Sequence, residues 1–122
     1  MSELALKRIK EAKDKRLTRL DLGNCGLKSF PPEVFELIDL EELILTNKDY
    51  YEGAGNVNSF YSIPLEIVNL KNLKFLDISG GWYWEEYDRG TPDRTEQNYQ
   101  IKDLTPITFL NNLESLNIFF NL

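Results

Sequence analysis

The residues of this 122-residue chain best suited to gripping another molecule are aromatic, and they crowd into two short segments. Tyr50 and Tyr51 fall within residues 48–58, and Trp82, Tyr83, Trp84, Tyr87 and Tyr99 fall within 81–100. They are seven of the fifteen aromatic residues and include both tryptophans. Tryptophan and tyrosine give a large contact area at low entropic cost, which suits them to anchoring a protein partner. The same rings could stack on a sugar, or pack inward to cover core. Glu85, Glu86, Asp88, Asp93 and Glu96 share the second segment with Arg89 and Arg94. Grouped carboxylates can hold calcium, but the spacing of a calcium-binding loop is absent and the arginines can neutralise the acids, so no metal is expected. No carboxylate pair is placed to flank a glycosidic bond, which argues against glycoside hydrolysis.

Catalysis has little else to work with. The chain has no histidine, which removes the commonest general base and the commonest zinc ligand. Its one cysteine, Cys25, has no residue of that kind to activate it and reads as a small apolar packing group. Gly53 and Gly55 lack the lysine and the strand–helix setting of a phosphate loop. The expectation is a protein that binds rather than reacts and needs no cofactor.

Something regular must hold the aromatic segments, and it is a repeat. Leu17, Leu20 and Leu22 recur as Leu40, Leu43 and Leu45, then Leu73, Leu76 and Ile78, then Leu113, Leu116 and Ile118, each an L-x-x-L-x-L run. The last two apolar positions alternate with one outward residue, as in a strand. A second apolar segment follows each of the first three, anchored by Leu27 and Phe30, Phe60 and Ile63, and Ile101 and Leu104. Proline closely follows each second anchor and turns the chain into a short helical or 3₁₀ stretch. One such unit cannot bury its own apolar row, so neighbours must stack.

Over residues 17–122 the sequence resembles the leucine-rich-repeat family. The resemblance implies an α/β solenoid with about four parallel strands on its concave face and 3₁₀ segments and loops on the convex side. It also implies an asparagine, three residues after the third leucine, that bonds to backbone in the turn. Cys25, Lys48, Gly81 and Asn121 hold those positions here. Cysteine is an accepted substitute; Lys48 and Gly81 are not, which predicts a ladder interrupted in mid-solenoid.

The single domain expected over 1–122 has repeats starting at 17, 40, 73 and 113. Their spacing of 23, 33 and 40 residues locates insertions at 48–58 and 81–100, both leaving just after a strand and so lying side by side. Residues 2–15 read as a capping helix, with Ser2 as N-cap, Ala5, Ile9 and Ala12 on one face, and i,i+4 charge pairs such as Glu11–Lys15. Phe119, Phe120 and Leu122 follow the fourth match with no second half to cover them, which predicts a longer polypeptide or homo-association through that end.

The outward strand positions form rows across the concave face: Arg19, Glu42, Phe75 and Ser115; Asp21, Ile44, Asp77 and Asn117; Gly23, Thr46, Ser79 and Phe119. With the aromatic insertions, Arg19, Glu42, Ile44, Phe75, Asp77 and Asn117 are the candidate partner-binding residues, and the expected ligand is a protein. A carbohydrate, or a self-associating structural role, is the alternative. Residues 1–28 carry eight basic and four acidic side chains, the remainder six and sixteen. An acidic body argues against nucleic acid. The charged start lacks a signal peptide, no apolar run could span a bilayer, and the unpaired cysteine suits a reducing compartment, so a cytoplasmic protein is expected. The stretch from Ala5 through Leu17, Leu20, Leu22 and Cys25 also resembles the start of the repeat domain in bacterial Roco-type proteins, which implies the recognition part of a larger signalling protein.

Overall fold

The computed structural model describes residues 3–46, 58–79 and 101–118 in full and the backbone of 82–86 and 92–97. Four short strands, β1 (Arg19–Asp21), β2 (Glu42–Ile44), β3 (Phe75–Asp77) and β6 (Ser115–Asn117), form one parallel sheet in the order β1-β2-β3-β6. Their register aligns Leu20, Leu43, Leu76 and Leu116, the second leucine of each sequence match. The strands are only three residues long because the turn on either side is as strictly repeated as the strand itself. Before each, one carbonyl accepts from the next repeat: Glu42 N–H to Thr18 at 2.9 Å, Phe75 N–H to Glu41 at 2.9 Å and Ser115 N–H to Lys74 at 3.0 Å.

Opposite the sheet run three 3₁₀ segments, Pro32–Glu36, Leu65–Asn69 and Thr105–Phe109. Pro31 and Pro64 precede the first two with their φ already set. The third has Leu104 there instead, and the Asp103 carboxylate accepts the Thr105 N–H at 2.9 Å. The Thr105 side chain, and after it that backbone bond, holds the Asp103 carboxyl below its usual range. Between the two layers lie the leucines and isoleucines, with Phe60 the largest fully buried side chain among the described residues and its ring 4.9 Å from that of Phe30. Each fully buried leucine contributes about 1.5–3 kcal/mol.

Helix α1 (Glu3–Lys15) covers the β1 end, burying Ala5, Ile9 and Ala12. Its exposed side carries Lys15–Glu11 and Lys10–Asp14 pairs at 3.0 and 2.7 Å, each one helical turn apart. The helix ends in a Schellman turn: Leu17 N–H bonds to Ala12 O at 2.9 Å, Arg16 N–H to Lys13 O at 3.3 Å, and Arg16 takes a φ of 51° where glycine is usual. Arg8 reaches from the helix to donate to Asp21 O at 2.9 Å. Strand parity turns that carbonyl toward the outer edge of β1, so the helix blocks the edge as well as the core.

The ladder expected to break at Lys48 does not break in the second repeat. Asn58, fully buried, takes the position. Its amide donates to Leu22 O at 2.8 Å and Leu45 O at 3.2 Å, and its oxygen accepts from Cys25 N–H at 3.2 Å and Leu27 N–H at 2.9 Å. The inserted residues therefore precede the asparagine and occupy 48–57. The second insertion is an antiparallel ribbon of β4 (Trp82–Glu86) and β5 (Pro92–Gln97) with an irregularity between Glu85 and Glu86. Whether the two insertions lie side by side falls outside the described residues, as do Ser2 and Tyr99.

Candidate functional site

The register puts Arg19, Glu42, Phe75 and Ser115 on adjacent strands as one row of the exposed sheet face, and Asp21, Ile44, Asp77 and Asn117 as the next. In the first row Arg19 and Glu42 stand 3.7 Å apart, both about half exposed, so the pair adds little stability. Phe75 beside them is half-buried and Ser115 exposed. In the second row Ile44 is nearly buried between Asp21 and Asp77 and offers a partner little area.

The two aspartates are partly committed. Asp21 Oδ1 accepts Gly23 N–H at 2.9 Å, and Asp77 Oδ1 accepts Ser79 N–H at 3.0 Å and the Thr46 hydroxyl. Each closes the turn after its strand by bonding two residues on. Gly23 fits that turn because a Cβ there would stand 2.3 Å from Thr46 O. Along the entry side of the strands Thr18, Glu41, Lys74, Phe75 and Glu114 line an open groove. Lys74 bonds Glu41 at 3.0 Å, and that bond, with Glu114 nearby, raises the Lys74 pKa.

Trp82, Tyr83 and Trp84 belong to β4. Cross-strand register sets Trp82 against Gln97 and Trp84 against Thr95, so the two tryptophans occupy alternate positions on one face of the ribbon. Tyr50, Tyr51 and Tyr87 lie outside the described residues, as do Phe119, Phe120 and Leu122. Among the described residues no group of three or more acids and cysteines could hold a metal. Cys25 is buried, and desolvation pushes its thiol up against the opposing pull of Arg8. It donates weakly to Gly23 O at 3.6 Å, a packing position rather than a nucleophile's.

Sequence reasoning missed three structural contributors that frame this face. Asn58 precedes Phe60 by two residues, as Cys25 precedes Leu27, and counting back from the second anchor finds it where counting forward from Leu45 does not. The residues just before each repeat form a rim: Arg16 pairs with Asp39 at 3.6 Å, Asn72 donates to Ile38 O at 2.9 Å, and Asn112 donates to Lys71 O at 2.6 Å. Their signal was the polar residue ahead of every first leucine. Arg8 had no signal, since its carbonyl partner is a product of the fold.

No protein-family model matches the chain, and no curated protein matches it either. Among solved structures, a leucine-rich-repeat protein of Leptospira interrogans is similar over 89% of this chain, at 22% identity and a TM-score of 0.42. The chain spans 27% of the length of that protein. The four strands in common register, the 3₁₀ segments opposite them and the Asn58 clamp make the fold a short leucine-rich-repeat solenoid.

Proposed function

We propose that this chain is a non-catalytic protein-interaction module that grips its partner with the exposed sheet face and the aromatic ribbon. The observation that carries the reading is the Phe75 row. A half-buried aromatic ring stands on an inner strand of the four-strand surface, flanked by the charged Arg19 and Glu42 on one side and Ser115 on the other. An apolar centre with a polar surround is the usual anatomy of a protein interface. The grooves beside it are open to solvent and suit a macromolecular surface better than a small ligand. The acidic body disfavours nucleic acid.

Two finer readings go with it. The Roco-like start supports a recognition role within a larger signalling protein. No described helix is long and apolar enough to cross a membrane; together with the single unpaired cysteine, this favours the cytoplasm as the working compartment.

The test uses a photo-crosslinking residue in place of Phe75, of Trp84, or of Glu66, which is exposed on the 3₁₀ side. One protein from the source cell should be captured at Phe75 and Trp84 and not at Glu66. Capture at Glu66 alone, or at all three alike, overturns the reading. A glycan array run beside it addresses the sugar alternative, because Trp82 and Trp84 share a ribbon face: a sugar hit lost in Trp84→Ala would replace the protein partner.

A further inference from the structure

Among the described residues Phe75 is the aromatic side chain that the sheet face presents, and its neighbours are acids. Glu42 stands opposite it on β2, and Asp77 follows two residues later on the same face of β3. Glu114, whose N–H bonds Lys74 O at 2.8 Å, lies diagonally across on the β6 side. The groove beside the ring has a volume of about 340 Å³ and is open to solvent; its charged lining is Glu41, Glu42, Glu114 and Lys74. The four strands and the residue just before each carry five acids, Asp21, Glu41, Glu42, Asp77 and Glu114, against two bases, Arg19 and Lys74. Both bases are engaged: Lys74 bonds Glu41 at 3.0 Å, and Arg19 stands 3.7 Å from Glu42. Negative charge is therefore in excess where the ring offers a partner its anchor.

The face of an aromatic ring attracts a cation, and carboxylates around it add to the attraction. Their spread decides which cation fits. Neighbouring strands stand about 4.8 Å apart, so Glu42 and Glu114 reach the ring from opposite sides. Among the described residues no group of three acids could hold a metal ion. A compact ammonium meets the same difficulty, being a point charge. A guanidinium is flat, stacks on an aromatic face and carries donors along both edges. We infer that the partner seats an arginine on Phe75, with its guanidinium stacked on the ring and its N–H groups donating to Glu42 and Glu114. This arginine seat rests on the protein-interaction reading of the same face, and names the side chain that the partner brings to it. The Arg19–Glu42 pair is half exposed and long, so giving Glu42 a new partner costs little.

Random peptides displayed on phage, selected on the full chain and counter-selected on Phe75→Ala, should converge on arginine at one position. If circular dichroism shows that Phe75→Ala has lost the fold, the chain carrying both Glu42→Gln and Glu114→Gln takes its place. A synthetic copy of the selected peptide with citrulline for that arginine keeps the shape and loses the charge. It should bind the wild-type chain about tenfold more weakly, and a lysine copy should fall between the two. Glu42→Gln and Glu114→Gln should each weaken the arginine peptide several-fold and leave the citrulline copy unchanged. Glu66→Gln, exposed on the 3₁₀ side, should change neither. No arginine preference, equal binding of the citrulline copy, or no peptide retained at all overturns the inference. A partner photo-captured at Phe75 in spite of such a result would keep the interaction module and remove only the arginine, whereas failure of the capture as well would remove both.

Discussion

The side-chain oxygen of Asn58 accepts the backbone N–H of Cys25 at 3.2 Å, so the turn of the first repeat is held by a residue 33 positions away. Three further bonds from the same amide reach Leu27, Leu22 and Leu45. One side chain, itself fully buried, thus satisfies two donors and two acceptors inside the core. Removing it strands buried backbone groups at roughly 1–3 kcal/mol apiece, carbonyls costing less than N–H groups.

Asn58→Ala should therefore lose about 3–5 kcal/mol of stability, at the upper end for a single substitution. Urea unfolding would register it as a lower midpoint with an unchanged slope. A loss under about 1 kcal/mol would mean that the four bonds do not hold the repeats together.

Gly23 supports a second prediction, about spacing rather than bonding. Its missing Cβ lets Thr46 O approach a site 2.3 Å from where that carbon would be, and the obstructing atom is backbone. Gly23→Ala must push β1 and β2 apart and should cost about 1–3 kcal/mol, as overpacking does. Gly26, exposed and with a φ of 68°, makes the comparison: the left-handed backbone costs alanine about 1 kcal/mol there. Thermal unfolding should rank Gly23→Ala below Gly26→Ala, and the reverse order would remove close approach as the cause.

The third prediction concerns pH. Burial keeps the Cys25 thiol protonated above its ordinary range, while in the unfolded chain it ionises at about pH 8.5. Above that pH the unfolded state gives up a proton that the native state keeps, which favours unfolding. The stability linked to Cys25 is thus fully present below about pH 8.5 and lost as pH rises toward the folded pKa. Lysines and tyrosines titrate in the same window, so the readout is a difference. Between pH 7 and pH 10 the urea midpoint should fall further for the wild-type chain than for Cys25→Ala. Parallel curves would show that the thiol ionises alike in both states.

What the sequence made readable was whatever recurs in fixed register. Leu20, Leu43, Leu76 and Leu116 follow directly from spacing, because burying a row of leucines requires the strands to align. The prolines foretold the 3₁₀ segments because they fix φ locally. Asn58 was hidden because ten residues separate it from the position where the pattern expects it. Ile44 was assigned outward by strand parity, and it is nearly buried all the same, since parity fixes the face and not what lies over it. The insertion at 81–100 was located by spacing alone, and the antiparallel pairing of Trp82–Glu86 with Pro92–Gln97 inside it has no counterpart in the repeat pattern. Of the candidate site, the two rows came from periodicity, while the commitment of Asp21 and Asp77 to turn closure depends on geometry that a pattern cannot carry.

The hydrogen bond between Asn58 and Leu45 O, at 3.2 Å, ties the two sides of the first insertion together at its base. Without residues 48–57, Thr46 and Asn47 would separate Leu45 from Asn58, the same two-residue gap that Gly23 and Asn24 fill between Leu22 and Cys25. The described core therefore closes at the base of residues 48–57, through the bonds from Asn58 to Leu22 O and Leu45 O. Doubling its length would add only about 0.6 kcal/mol of loop-closure entropy. The solenoid forms a socket here: Asn58 closes the turn between Leu22 and Leu45 across whatever length of chain separates it from Leu45.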